Sequence, residues 1–198
     1  GEIVWINQHK AIFNSQIKVY KNKIFVVDGN NVINCFSVTD GKEIWKYETN
    51  PTFIKTNKKL SIIVTSDSVL FSNTAGDIAK IDINTGELIW FIPTQNTLIK
   101  HETDFLETSD IVLFKENLFF SDNFSKLFSL NINSGIIKWI LNINSNIRPI
   151  IIDNYLFTIS KEGYLIVIDI AEGKIIRSNY ILGGFESKQK KKLFIHGF

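Results

Sequence analysis

All four tryptophans in this chain of 198 residues stand four positions after a glycine. The pairs are Gly1 and Trp5, Gly41 and Trp45, Gly86 and Trp90, and Gly135 and Trp139; at Gly173 the corresponding position holds Arg177. Successive glycines are 40, 45, 49 and 38 residues apart. A motif returning at such a period marks a repeat architecture, in which each copy is one supersecondary unit that hides its apolar face against the next.

Between successive motifs the chain breaks into short runs rich in Val, Ile, Phe and Tyr, punctuated by turn residues such as Lys21-Asn22 and Asp28-Gly29-Asn30. Four strands fit each copy. They are expected at 16–20, 23–28, 31–38 and 43–48, then at 61–65, 68–72, 77–83 and 87–92. The third copy gives 110–114, 118–122, 126–132 and 136–141, and the fourth 148–152, 155–160, 164–170 and 174–180. The corresponding repeats span approximately 14–48, 59–92, 109–141 and 147–181. Residues 2–6 read as a lone outer strand of a preceding copy, and 183–198 as a linker with the start of another. The absence of methionine and the opening in mid-repeat read as a piece cut from a longer protein.

The third strand of each copy carries the clearest alternation. Counting back three, five and seven residues from the turn glycine gives Val38, Phe36 and Asn34; Ile83, Ile81 and Ala79; Ile132, Leu130 and Phe128; and Ile170, Ile168 and Ile166. Asn34 alone is polar, so one face of this strand is expected to be buried in every copy. Helical periodicity is absent over any useful length. The chain reads as all-β. Glycine in the following turn supplies the positive φ that a short hairpin loop needs. Ser37, Asp82, Asn131 and Asp169, four residues before each glycine, are placed to accept hydrogen bonds from turn amides. They are too dispersed to share a metal ion.

A formal net charge of +2 gives no sign of nucleic-acid binding, which for single strands needs a basic groove with aromatic platforms. Lys188, Lys190, Lys191 and Lys192 read as a solvated loop. Cys35 is the lone cysteine, so no disulfide forms within the chain. No apolar run reaches the roughly 20 residues of a helical membrane span.

Copies of four strands at about 40 residues are the pattern of propeller blades. The run Lys80-Ile81-Asp82-Ile83-Asn84-Thr85-Gly86-Glu87-Leu88-Ile89-Trp90 resembles the repeat of the pyrroloquinoline-quinone-type propellers, departing from its pattern by Lys80 in place of alanine. Ser129, Asn131, Ser134, Gly135 and Trp139 keep the pattern in the third copy, and Asp169 and Gly173 in the fourth. The resemblance implies an all-β propeller of four-stranded antiparallel blades, about four of them here, as part of a ring of 7–8. It also implies that Trp5, Trp45, Trp90 and Trp139 dock between adjacent blades, with Gly41, Gly86, Gly135 and Gly173 as further structural residues of the docking repeat. Arg177 departs from this scheme.

Two groups share such repeats. One is the quinoprotein dehydrogenases, which use pyrroloquinoline quinone with calcium. The other is the non-catalytic BamB group, periplasmic scaffolds of outer-membrane barrel assembly. The chain lacks the adjacent cysteine pair carried by many of the dehydrogenases, and no carboxylate-asparagine grouping suggests calcium. The BamB-like reading is therefore preferred, with no cofactor and no catalytic or metal-binding residues. It implies protein partners among barrel-assembly components, a periplasmic location and peripheral membrane association through the parent protein. A dehydrogenase fragment and a ligand-sensing propeller are the alternatives.

His9, His101 and His196 fall in separate connections, without metal or catalytic spacing. The connection from Thr94 to Ser109 mixes Glu102, Asp104 and Glu107 with Leu98, Ile99, Phe105 and Leu106, a composition suited either to a partner-binding rim or to a loop that folds its apolar residues back onto its own blade. Arg148 is expected on the same rim, and arginine is frequent at interface hot spots. An incomplete ring is expected to expose apolar blade faces at Trp5 and at the Ile166, Ile168, Ile170 end. It would then either pair with a second copy or be closed by the rest of the ring.

Overall fold

The computed structural model describes residues 1–50, 58–94, 108–122 and 125–186, together with Lys188 and Ile195. The described chain is built from sixteen strands in four separate four-stranded sheets. Blade 1 comprises β1 (Lys18–Tyr20), β2 (Lys23–Val27), β3 (Val32–Ser37) and β4 (Glu43–Glu48). Blade 2 comprises β5 (Ile62–Val64), β6 (Ser68–Ser72), β7 (Ile78–Asp82) and β8 (Leu88–Ile92). Blade 3 comprises β9 (Val112–Phe114), β10 (Asn117–Ser121), β11 (Lys126–Asn131) and β12 (Ile137–Asn142). Blade 4 comprises β13 (Ile150–Ile152), β14 (Tyr155–Ile159), β15 (Tyr164–Asp169) and β16 (Lys174–Tyr180).

Within each blade every strand pairs antiparallel with its neighbour in sequence. This meander is what short turns between β-branched runs produce. The third and fourth strands slip register at the same place each time, between Cys35 and Phe36, Lys80 and Ile81, Ser129 and Leu130, and Val167 and Ile168. A bulge there increases the local right-handed twist of each blade.

Two compact units divide the chain, Gly1–Leu106 and Glu107–Phe198. In the first, blade 1 contributes Phe25, Val27, Ile33, Cys35 and Trp45 to a core completed by Leu60, Ile62, Val69, Phe71, Ala79, Ile81 and Ile83 of blade 2. The innermost strands also meet. Gln16 donates to the Leu60 carbonyl at 3.1 Å, and Leu60 donates back to that of Asn14 at 2.8 Å. In the second unit, Phe119, Leu127 and Ile143 pack with Leu156, Ile166, Ile168 and Ile170, flanked by Trp139 and Leu141. The two units repeat one design, in which a blade lays one face on the opposite-facing side chains of the next.

That design corrects an expectation. Ile166, Ile168 and Ile170 do not form an open end: they are 7%, 0% and 5% exposed and lie in the core shared with blade 3. Alternation along β15 puts Leu165 and Val167 on the other face, and those two are only half-buried. The lone strand expected over residues 2–6 is likewise not formed, because no described strand pairs with it. The expected linker over 183–198 lies largely outside the described residues. In blade 1 the buried face is incomplete, with Asn34 fully enclosed, Phe36 half-buried and Val38 36% exposed.

Candidate functional site

The residues from which a functional surface is built fall into two sets, the tryptophan docks between blades and the turns and connections at the blade ends. Trp45 is 8% exposed. Its indole Nε1 donates to the Ile83 carbonyl at 3.1 Å, and its ring lies 5.8 Å from that of Phe25. The carbonyl it reaches is three residues before Gly86. That glycine has φ +76°, and a Cβ there would lie 2.8 Å from Trp45 Cγ and Cδ2. Only a residue without a side chain meets both requirements.

The same geometry occurs twice more. Trp5 Nε1 donates to Val38 O at 2.7 Å beside Gly41, and Trp139 Nε1 to Ile170 O at 3.0 Å beside Gly173. Asn7 Nδ2 adds a 2.6 Å bond to the Gly41 carbonyl. Residues 1–9 therefore lie against blade 1 where a neighbouring outer strand would, although they form no strand themselves. Lys23 strengthens the first dock, donating to both Ile83 O and Asn84 Oδ1 at 2.8 Å. Trp90 is half-buried opposite Lys80, and Gly135 has φ +71°. Arg177 points its Nε to Asn179 Oδ1 on its own strand, at 3.3 Å, and all of β16 is exposed.

The four turn residues act on their own loops. Asp82 Oδ1 accepts from the amides of Asn84 and Thr85, both at 2.8 Å. Asn131 Oδ1 accepts from Asn133 and Ser134 at 2.9 and 3.0 Å, and Asp169 Oδ1 from Ala171 and Glu172 at 2.9 and 3.1 Å. Ser37 Oγ receives a 3.2 Å bond from Thr39. The amides of Thr85 and Asn84 hold the Asp82 carboxyl below the usual carboxylate range, because they favour its charged form.

Of the expected rim residues, Arg148 is exposed between buried Ile147 and buried Pro149. Glu102, Asp104, Glu107, Phe105 and Leu106 lie outside the described residues, as do His101 and His196. His9 has a partner that sequence reading missed: its Nε2 is 3.3 Å from Asp28 Oδ2, and its ring stacks on Phe13 at 4.6 Å. Asp28 is itself a turn cap, its Oδ1 accepting from Asn30 and Val32. The pair seats the N-terminal segment rather than assembling chemistry.

Cys35 is enclosed in the first core, and burial pushes its thiol up to about 11. A quinone-calcium site is not matched by these residues. Cys35 has no cysteine beside it, and among the described residues no group of three or more His, Cys, Asp or Glu is gathered that could hold a metal. No helix among them is long and apolar enough to cross a membrane.

Known proteins place this arrangement. The family model described as outer membrane protein assembly factor BamB matches residues 1–179. An uncharacterized protein of Rickettsia prowazekii is 24% identical over 138 residues, covering 68% of this chain and 33% of the relative. The outer membrane protein assembly factor BamB of Legionella pneumophila is 21% identical over 164 residues, covering 77% of this chain and 39% of that protein. The chain thus spans 33–39% of the length of the curated relatives it matches. Among solved structures, BamB from Moraxella catarrhalis superposes with a TM-score of 0.77 at 15% identity, covering 90% of this chain and 55% of that one. A europium-containing methanol dehydrogenase gives 0.66 at 15% identity, over 85% and 42% of the respective chains. At such identities the superpositions establish the β-propeller fold and nothing finer. The family match runs from the first residue into β16, and on it the chain belongs to the outer membrane protein assembly factor BamB family.

Proposed function

We propose that this chain is a non-catalytic propeller scaffold that binds protein partners through the loops at its blade ends and serves outer-membrane protein assembly from the periplasm. The observation that carries the proposal is the BamB family match across residues 1–179. The geometry supports it: tryptophan docks and shared cores hold neighbouring blades together, and function in such folds is carried by the loops a rigid framework presents. Arg148, exposed between buried neighbours in the connection before β13, is the described residue we assign to partner contact. The sequence of residues 94–109 mixes apolar and acidic side chains, a composition suited to the same kind of contact. Cofactor-free action is part of the same proposal, as is peripheral membrane association through a longer parent protein.

The test is co-purification of the tagged chain with the outer-membrane assembly machinery from detergent-solubilised envelopes, alongside Arg148→Ala and a variant with residues 102–106 replaced by glycine and serine. Retention by the unaltered chain and loss in either variant is the expected result. A chain that retains none of the machinery contradicts the proposal. The fold shared with a methanol dehydrogenase keeps a second reading in play, a piece of a quinone-dependent enzyme. Saturable quenching of tryptophan fluorescence by pyrroloquinoline quinone with calcium would favour that reading.

A further inference from the structure

The two units provide an internal comparison at equivalent junctions. Asn31 and Ser125 each stand ten residues before their turn glycine, and both have positive φ, 65° and 62°. In the first unit Asn31 Oδ1 accepts from the Thr74 amide at 2.9 Å, and Thr49 Oγ1 donates to the Asn31 carbonyl at 3.2 Å. Asn73 Nδ2 reaches Thr49 Oγ1 at 3.4 Å. Asn31, Thr49, Asn73 and Thr74 are all at most 5% exposed, so the junction is sealed by its own polar groups.

In the second unit the corresponding places hold Ser125, Ile143, Ser160 and Lys161, by their distances from Gly135 and Gly173. The junction is open. A cavity of about 450 Å³ lies there, its lining including Ser125, Ile143, Asn144, Ser160, Glu162 and Tyr164. Glu162 stands where the first unit has Ala75. Its Oε1 accepts from Asn144 Nδ2 at 3.0 Å, and the Lys161 amide donates to the Asn144 carbonyl at 2.7 Å, which fixes the loop that carries the carboxylate. Tyr164, at the cavity margin, packs against Tyr180 with ring centroids 5.1 Å apart and the rings tilted by 50°.

We infer that this cavity receives an arginine side chain of a protein partner. The walls offer a carboxylate and a ring of hydroxyl and amide oxygens, which match the several fixed N–H donors of a guanidinium. Tyr164 adds an aromatic face, a surface to which arginine is attracted. The cavity falls within the range of pre-formed binding clefts, roughly 300–1,000 Å³. Burial raises the Glu162 carboxyl, but hydrogen bonds from Ser160, its own amide and Asn144 outweigh this and hold it below its usual range, so it is anionic at neutral pH. Lys161 is the cation already beside it, exposed, and an arriving guanidinium competes with that charge.

The inference rests on the reading of the chain as a protein-binding propeller, and its test separates the two. The probe is acetyl-Gly-Arg-Gly-amide, titrated calorimetrically into the 198-residue chain. The control is the same peptide with citrulline, which keeps the shape and removes the charge. Saturable binding of the arginine peptide alone is expected, weakened roughly tenfold or more in Glu162→Gln. Ser125→Asn, which restores the residue that seals the first junction, is expected to weaken it as well. Unchanged thermal unfolding of both variants shows that the fold is intact. Equal affinity for the citrulline peptide, no binding of the arginine peptide, or indifference to Glu162→Gln overturns the inference. If assembly machinery co-purifies equally with Glu162→Gln, the cavity is not its docking point, while the scaffold reading stands. Arginine-peptide binding that depends on Glu162, in a chain that retains no partner, leaves the cavity assignment in place and removes the scaffold reading.

Discussion

Trp45 and Gly86 form the smallest complete piece of this fold, and each depends on the other. Truncating a buried tryptophan removes its apolar burial and leaves a cavity, so Trp45→Ala is expected to cost about 3–5 kcal/mol in urea unfolding. Trp45→Phe, which loses the bond to Ile83 O and part of the ring, is expected to cost less. Gly86→Ala forces a side chain into a positive φ and against the indole, a strain of about 1–3 kcal/mol. Gly183→Ala, where the nearest atom to an added Cβ is 4.0 Å away, is the matched control and is expected to be neutral. Equal stability of the two glycine variants would contradict the dock.

Asp82 gives a pH prediction. Its folded pKa lies below the ordinary value of 3.8, so the stability it contributes is present above that value and is lost as pH falls through the lower folded one. Acid unfolding below about pH 4 is expected to include this contribution. In Asp82→Asn the two amide bonds can persist, as they do at Asn131, while that part of the acid sensitivity disappears. Thermal melting at pH 7 and pH 3 measures both. A variant as acid-sensitive as the parent would place the titration elsewhere.

At the level of the strand, much was legible beforehand because the signals are local and repeated. Alternation through Ile166, Ile168 and Ile170 identified residues on one face of β15, and β-branched runs between turn residues marked the strands. Alternation says which side chains share a face, however, not which neighbour covers it. That is why those three isoleucines, expected at an open end, lie against Phe119 and Leu127 instead. Residues 2–6 show a related limit: extended backbone becomes a strand only beside a partner, yet Trp5 and Asn7 still reach Gly41. Removing residues 1–9 uncovers Gly41 and Phe36 and is expected to lower the melting temperature by several degrees. Trp5→Ala is expected to do less harm than Trp45→Ala, since Trp5 is only half-buried. The reverse order would show that the N-terminal segment is the main support of blade 1.

The candidate site was far less legible. His9 and Asp28 are nineteen residues apart in two irregular connections, and nothing in their spacing announces a contact. The cavity beside Glu162 accompanies several differences between the junctions, among them Ser125 for Asn31, Ile143 for Thr49 and Ser160 for Asn73, which acquire meaning only when the two are aligned through their glycines.

For the whole molecule, exposed apolar side chains carry the next expectation. Ile17 and Val19 of blade 1 are 69% and 61% exposed, and Ile152 and Ile176 of blade 4 are 57% and 53% exposed. Exposed apolar side chains of this kind favour contact with partners or further copies of the chain. Light scattering across a dilution series is expected to show a mass that falls toward the 22.7 kDa monomer as concentration drops. A monomer at every concentration would count against self-association.

The central claim is that this propeller works by holding protein partners, and it is tested most directly by binding. The immobilised chain is exposed to purified periplasmic domains of the outer-membrane assembly machinery, with Arg148→Glu measured in parallel. Saturable binding that Arg148→Glu weakens by about tenfold, the scale of a hot-spot contact, is the expected result. Absence of binding by the folded chain, together with saturable uptake of pyrroloquinoline quinone and calcium, would contradict the scaffold and turn the protein toward the enzymes that share its blades.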